Sequence, residues 1–337
     1  MRAFIVPAGC RNIAEIRPVE RPDPLPGPSQ VLIRVRAASL NYRDQAVAIG
    51  AYFTGPLTRD TIPLSDGAGE VVAVGPGVVK FKPGDRVVAT FNQIPPDGSP
   101  FGAAQALGAP LDGMLAERVV LYEDGVLPIP EGLSYEEAAC LPCAGVTAWH
   151  ALMHAGRPLT AGDTVLALGT GGVSTFALQF AAAAGARVIQ TSSSDEKLKR
   201  SQAIVPHESI NYRSVPDWST RVLELTHGHG ADLVVDIGGK ATIDQSVKSL
   251  AYGGTLSLVG GVTGYDGMIP EGALMMRAAR GQGVYVGSRA DYQRMDAFIV
   301  AHHLHPVIDG VYPVERFEDA LRDLKADRFV GKIVLRM

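Results

Sequence analysis

Three glycines set between a short apolar run and a helical stretch constrain this chain more than any other feature. Val165-Leu166-Ala167-Leu168 leads into Gly169-Thr170-Gly171-Gly172-Val173-Ser174, and Thr175-Phe176-Ala177-Leu178-Gln179-Phe180 continues as a helix. A strand, a tight glycine turn and a helix N-terminus in that order form a seat for a pyrophosphate. Glycine lets the ligand approach the backbone, and the first helical N–H groups point at its negative charge. A second apolar run, Arg187-Val188-Ile189-Gln190-Thr191, follows at the spacing of a βαβ unit. In that setting the glycine pattern points to dinucleotide binding.

The rest of the chain sets the frame. Its 337 residues suffice for about two domains. A net charge of -4 leaves no basic footprint for nucleic acid. No apolar run is long enough to span a bilayer, and Met1-Arg2-Ala3-Phe4-Ile5-Val6-Pro7 reads as a first strand instead of a signal segment. Three cysteines, Cys10, Cys140 and Cys143, make no disulfide framework, which suits the reducing cytoplasm.

Residues 1–122 read as β-rich. Val31-Leu32-Ile33-Arg34-Val35-Arg36 alternates as a half-buried strand does, and Gly69–Gly75 and Asp85–Ala89 are two more strands separated by Pro/Gly turns. Residues 92–113 show little periodicity and read as a long surface loop of the kind that often lines a site. From 123 to 300 strands and helices alternate, with strands expected at 164–168, 187–191, 232–236, 255–259 and 283–287. Nearly continuous apolar strands between helices imply a parallel sheet covered on both faces. Residues 301–337 hold an amphipathic helix, Phe317–Leu324, and a strand, Gly331–Leu335, which is expected to return to the first domain. The fold class is therefore α/β, a Rossmann doubly wound parallel sheet inserted into a split β-rich domain.

Here the chain resembles the medium-chain dehydrogenase/reductase superfamily. The resemblance rests on Ser39–Asp44, Ser65–Val71, Pro83–Val87, Leu141–Ala148, Gly169–Val173 and Gly331–Val334, in that order. It is strongest to the zinc-independent branch, with its quinone oxidoreductase-like, enoyl-reductase-like and zinc-free alcohol dehydrogenase-like enzymes. It implies a GroES-like catalytic domain, a Rossmann domain for the cofactor, a substrate cleft between them, and a homodimer joined through edge strands near 283–287.

Metal-dependent members place Cys, His or Glu, and Cys on a catalytic zinc, and the matching positions here are Asn41, Ser65 and Cys143, with Asp66 adjacent. One thiol with an amide and a hydroxyl is a poor set for an ion that favours thiolate and imidazole. No zinc is expected. Cys140 and Cys143 have CxxC spacing without a second pair and read as small buried residues. His302, His303 and His305 read as a surface cluster.

The second strand ends in Thr191-Ser192-Ser193-Ser194, where an NAD site would carry a carboxylate for the ribose hydroxyls. Ser192, Ser193 and Lys197 are candidates to receive a 2′-phosphate, Ser193 also fitting an N-cap with Glu196 three residues on. NADPH is therefore expected over NADH. The resemblance adds Tyr212 at the phosphate and Thr147 at the nicotinamide to the seat formed by Gly169, Thr170, Gly171, Gly172 and Val173. Gly238, Val259, Gly260, Val286 and Gly287 stand at strand ends expected to pass the cofactor.

Without zinc, an acceptor more electrophilic than a simple ketone is easier to reduce: a quinone or an α,β-unsaturated carbonyl, its developing charge carried by hydrogen-bond donors. Asn41, Tyr42 and Arg43 are the candidate catalytic residues, Tyr42 also as general acid. A metal-free alcohol dehydrogenase or ketone reductase, and an NADPH-binding protein without turnover, are the alternatives.

Overall fold

The computed structural model describes residues 1–53, 55–94 and 105–337. The chain forms two compact units, one of residues 1–143, 308–328 and 332–337, the other of 144–307 and 329–331.

The first unit starts with β1 (Arg2–Ile5) paired antiparallel with β2 (Arg17–Glu20). It continues through β3 (Gln30–Ser39), α1 (Tyr42–Ala48), β4 (Asp66–Val74), β5 (Arg86–Ala89), β6 (Arg118–Tyr122), β7 (Val126–Pro128) and α2 (Tyr135–Ala138). The second unit holds α3 (Val146–Met153), β8 (Thr164–Leu168), α4 (Gly172–Ala183), β9 (Arg187–Ser192), α5 (Asp195–Gln202), β10 (Glu208–Asn211) and α6 (Trp218–Leu225). It ends with β11 (Ala231–Asp236), α7 (Ile243–Lys248), β12 (Leu250–Leu258), α8 (Glu271–Met276), β13 (Arg280–Gly283) and α9 (Arg289–Ala301). The chain then returns to the first unit with β14 (Ile308–Pro313), α10 (Phe317–Ala326) and β15 (Lys332–Arg336).

In the second unit the strands lie in the order β10-β9-β8-β11-β12-β13, all parallel. That is the doubly wound order, and its direction reverses between β8 and β11, where such sheets bind ligands at the carboxyl ends of the strands. Every residue of β8 is buried, and Leu166, Ile189, Val234 and Leu256 pack with Trp218, Val222 and Val247 from α6 and α7. Burial on both faces explains why these strands read as unbroken apolar runs.

In the first unit β14 pairs parallel with β15, and β15, β3, β4, β5 and β7 follow antiparallel, with β6 also on β3. The register sets Ser39 opposite Asp66 and Val334 opposite Ser39. Three distant stretches of chain thereby meet at one end of this sheet.

Several expectations need correction. Residues 123–143 belong with the β-rich unit: β7 pairs with β5, and α2 packs on β3 and β4. Residues 301–307 and 329–331 belong with the Rossmann unit. The last strand of the parallel sheet is β13, Arg280–Gly283, ahead of the expected 283–287. All four of its residues are exposed, so an edge strand there left no hydrophobic signature, while Val286 takes a positive φ of 53° that ends any strand. β10 had no expected counterpart; it is short, with Ile210 its one buried residue. The described parts of 92–113 are no surface loop: Asn92, Gln93, Ala106, Leu107 and Ala109 are buried, and Leu107 N–H donates to the Phe91 carbonyl (3.0 Å). Residues 95–104 lie outside the described residues.

On α9, Asp296 turns a carboxyl inward. Its Oδ1 is buried without a hydrogen-bond partner among the described residues, and burial alone pushes its pKa up to about 8. The folded protein therefore keeps a proton that the unfolded chain releases near pH 4. Stability contributed by the protonated form is complete below that point and is lost as pH rises through 8. Asp296→Asn, which does not titrate, should gain on the wild type between pH 4 and 8.5, by on the order of a few kcal/mol at the top of that range. Urea unfolding of both proteins across this range checks it, and a pH-independent difference would refute the assignment.

Candidate active site

Two groups of candidate residues emerge, one in each unit. In the Rossmann unit the glycine turn leads from β8 into α4. Gly169 adopts a φ of 79°, and its N–H donates to the Thr191 carbonyl (2.8 Å), bending the chain off β8. Gly171 is the N-cap of the twelve-residue α4 and supplies no capping side chain, so the first N–H groups of α4 meet no side-chain acceptor at the cap. A Cβ on Gly171 would meet nothing nearer than a Phe329 ring carbon at 3.9 Å. Thr170 is buried, with an Oγ1 that has no partner among the described residues. Its carbonyl accepts from the Gly331 N–H (2.9 Å). Open backbone donors at a helix N-terminus and an orphaned hydroxyl fit a dinucleotide pyrophosphate. Ser174 donates from Oγ to the Leu168 carbonyl at 2.5 Å and ties the start of α4 to the end of β8.

Beside this seat β9 runs to Ser192, one residue further than expected, and the cap moves with it. Ser194, not Ser193, caps α5, accepting from the Lys197 N–H (3.3 Å), and Ser192 Oγ accepts from the Ser194 N–H (3.4 Å). Lys197 is buried, whereas Lys199 and Arg200 are exposed. Tyr212, whose N–H donates to the Ser192 carbonyl (3.0 Å), is half-exposed at the end of β10.

Across the switch point, Asp236 ends β11 and is almost fully buried. Its carboxylate accepts from the N–H groups of Gly238 (2.7 Å) and Gly239 (3.1 Å) and from the hydroxyls of Thr242 (2.7 Å) and Ser246 (2.6 Å). Four donors on one carboxylate hold the 236–242 loop rigid. Val259 and Gly260 donate their N–H groups to the Asp236 carbonyl (2.9 and 3.2 Å), which brings them beside Gly238. Gly287 lies against Val146, where a Cβ would come within 3.0 Å of Cγ2, and Thr147 is buried one residue along α3. The structure thus gathers most of the cofactor candidates at the carboxyl ends of the parallel strands.

The second group sits at one end of the β-rich unit's sheet. Lys332, almost wholly buried, donates from Nζ to the Leu40 carbonyl (2.7 Å) and to Asn41 Oδ1 (2.6 Å), and stands 3.6 Å from Asp66 Oδ2. Asp66 also accepts from Ser65 Oγ (2.8 Å) and Ser39 Oγ (3.2 Å). An ammonium can only donate, so the amide oxygen of Asn41 must face it, and the Nδ2 group is left pointing elsewhere. That Nδ2 is buried without an acceptor among the described residues. Asp44 accepts from the Asn41 N–H (2.7 Å); burial is the main cause that raises its pKa to about 6, against the pull of Arg43 and with a push from Asp66.

Arg43 is buried and committed. Its guanidinium donates to the carbonyls of Leu107 (3.0 Å) and Ala109 (3.3 Å), lies over the rings of Phe91 and Tyr52, and stands 3.7 Å from Asp44. Tyr42 is half-exposed at the start of α1. At Asn41, Ser65 and Cys143 the amide oxygen accepts from the Lys332 ammonium, the Ser65 hydroxyl donates to Asp66, and burial raises the pKa of the Cys143 thiol, Asp66 adding to the effect.

The expectation missed Lys332, Asp236 and Tyr52. The signal for Lys332 was present: a lysine flanked by glycine and an apolar run at the start of a buried strand. His302, His303 and His305 are exposed, as expected. His150, His154 and Asp291, singled out in no expectation, come together on α3 and α9.

Comparison with known proteins agrees with this geometry. The family model for the alcohol dehydrogenase GroES-like domain matches residues 27–131, and that for zinc-binding dehydrogenase matches residues 172–301. A zinc-type alcohol dehydrogenase-like protein of Schizosaccharomyces pombe is 41% identical over 92% of this chain and 91% of its own length. A quinone oxidoreductase of Pseudomonas aeruginosa is 37% identical over 71% of this chain and 67% of its own. Among solved structures, an NAD-dependent alcohol dehydrogenase superposes with a TM-score of 0.89 at 34% identity, covering 100% of both chains. A mycobacterial protein solved with NADPH gives 0.84 at 28% identity, again covering 100% of both. The chain belongs to the medium-chain dehydrogenase/reductase superfamily. Within it the protein is an oxidoreductase.

The Lys332 network generates a test. Lys332→Met strips the cation from a buried carboxylate and should cost about 3–5 kcal/mol of stability. Adding Asp66→Asn should restore most of that loss. A double-mutant cycle by chemical unfolding measures it, and additive losses would disprove the pairing.

Proposed function

We propose that the protein is an NADPH-dependent reductase of quinones or α,β-unsaturated carbonyls that works without zinc. The observation that carries this reading is Asn41, locked by Lys332 so that a buried amide N–H donor has no acceptor of its own. A preorganised donor of this kind stabilises the negative charge that develops on an oxygen as the substrate is reduced. The names of relatives agree in class: besides the quinone oxidoreductase, a crotonyl-CoA reductase of Streptomyces collinus is 29% identical over 93% of this chain and 80% of its own.

Bound nicotinamide supplies the hydride. The chain's own residues do the rest. Gly169, Thr170, Gly171, Gly172 and Val173 seat the pyrophosphate. Ser192, Ser193, Lys197 and Tyr212 receive the 2′-phosphate, since Thr191–Ser194 offers no carboxylate to repel it. Thr147, Gly238, Val259, Gly260, Val286 and Gly287 line the remainder. Asn41 carries the developing charge, Tyr42 returns a proton from its hydroxyl, and Arg43 positions the Leu107–Ala109 backbone. A metal-free alcohol dehydrogenase is the second reading; the S. pombe relative and the solved NAD-dependent alcohol dehydrogenase support the alcohol as substrate class and say nothing for the absence of metal.

The oligomer is proposed as a homodimer. β13 pairs only with β12 among the described strands, its residues are exposed, and Tyr252, Met268, Met275 and Met276 are exposed on the neighbouring β12–α8 segment. An open strand edge beside apolar side chains favours a second copy. Light scattering on the purified protein should read twice the 35.6 kDa chain mass; a monomer at micromolar concentration would end this proposal. Among the described residues no helix is long and apolar enough to cross a membrane. The cytoplasm is the proposed compartment, consistent with three free cysteines.

Fluorescence titration should show NADPH binding at least about tenfold tighter than NADH, a gap that Lys197→Ala narrows; tenfold corresponds to about 1.4 kcal/mol. Asn41→Ala should lower kcat on a quinone or enone roughly a hundredfold with NADPH affinity unchanged. Turnover of a simple aldehyde alone would favour the second reading.

A further inference from the structure

Outside these two groups, α3 and α9 carry a cluster of metal-ligating side chains. His150 lies in the last turn of α3, and His154, four residues on, caps that helix at its C-terminus. Asp291 faces them from the first turn of α9. His150 Nδ1 lies 3.1 Å from Asp291 Oδ2, and His154 Nδ1 contacts Oδ1. One ligand atom from each residue falls within 4.8 Å of the others.

We propose that His150, His154 and Asp291 bind one divalent transition-metal ion of the zinc class, bridging α3 to α9. Two ligands at about 2.05 Å on a tetrahedral ion lie about 3.3 Å apart, close to the His150–Asp291 separation. The carboxylate is preset for the task. Asp291 Oδ2 accepts from the Ser288 N–H (2.9 Å) and the Ser288 hydroxyl (2.8 Å), an outer shell that fixes its orientation. The helices are preset too, since Trp149 of α3 packs on Phe298 of α9 with ring centroids 5.2 Å apart and edge-on to Phe180 of α4 at 5.8 Å. The imidazoles are about one-third exposed while Asp291 is buried, which gives an ion an entry path from the surface. Three protein ligands leave the fourth position to water. Arg294 Nη2, 3.4 Å from Asp291 Oδ1, opposes the cation's charge and keeps the affinity moderate.

On binding, each neutral imidazole carries its proton on Nε2 in place of Nδ1, and the hydrogen bonds to Asp291 are exchanged for bonds to the metal. The ion ties two helices together and takes no part in hydride transfer, so its presence and that of zinc at Asn41, Ser65 and Cys143 are separate questions.

Full-length protein stripped with a chelator and titrated with Co²⁺ tests this. One equivalent should bind with visible ligand-field absorption, His154→Gln and His150→Gln should each weaken binding at least tenfold, and Cys143→Ser should leave it unchanged. Zn²⁺ should raise the Tm of the wild type by several degrees and leave that of His154→Gln unmoved. Equal Co²⁺ uptake by wild type and both histidine variants, no uptake at all, or a thiolate charge-transfer band abolished by Cys143→Ser would each overturn the proposal.

Discussion

A lysine ammonium taken out of water must find acceptors on every side, and the need of Lys332 for them organises the β-rich unit. Its three partners come from Leu40, Asn41 and Asp66, nearly the full length of the chain away. The strand that carries it is thereby pinned between β14 and β3, and the first turn of α1 is pinned to that strand. The same constraint orients Asn41, because only its amide oxygen can face an ammonium. Stability and the chemistry of the site rest on one desolvated charge.

The Rossmann unit uses a buried charge of the opposite sign for a similar end. Asp236 gathers backbone and hydroxyl donors at the carboxyl end of β11 and so shapes the loop facing the glycine turn across the switch point. Ser174 adds a side-chain tie at the same turn: its hydroxyl bonds the strand it faces. Both sites stand on loops whose backbones are immobilised by buried polar groups, which is what placing a ligand within tenths of an ångström demands.

Legibility in the chain followed the reach of the forces involved. β8 and β11 were readable within a residue, and α4 in kind though three residues short at each end, because strand and helix periodicities and the glycine turn act over a few neighbours. β13 was not: an exposed edge strand satisfies one ladder with any residues, and Arg280-Gly281-Gln282-Gly283 carries no apolar pattern. The cap at Ser194 slipped by one because three consecutive serines are chemically equivalent, and strand pairing decides which comes first after β9. Lys197 lies on a helix with Lys199 and Arg200, and only the fold separates it from them by burying it.

By itself, the sequence determined the class of fold, the family and the glycine turn between β8 and α4, each of which depends on short-range patterns or motifs in a set order. Tertiary structure alone decided which groups share a site. Lys332 met Asn41, Arg43 was spent on the Leu107 and Ala109 carbonyls, and two histidines at the C-terminal end of α3 found Asp291 of α9. Those meetings depend on strand register and helix packing between residues tens to hundreds of positions apart, and no local pattern encodes which distant partner a buried polar atom will satisfy.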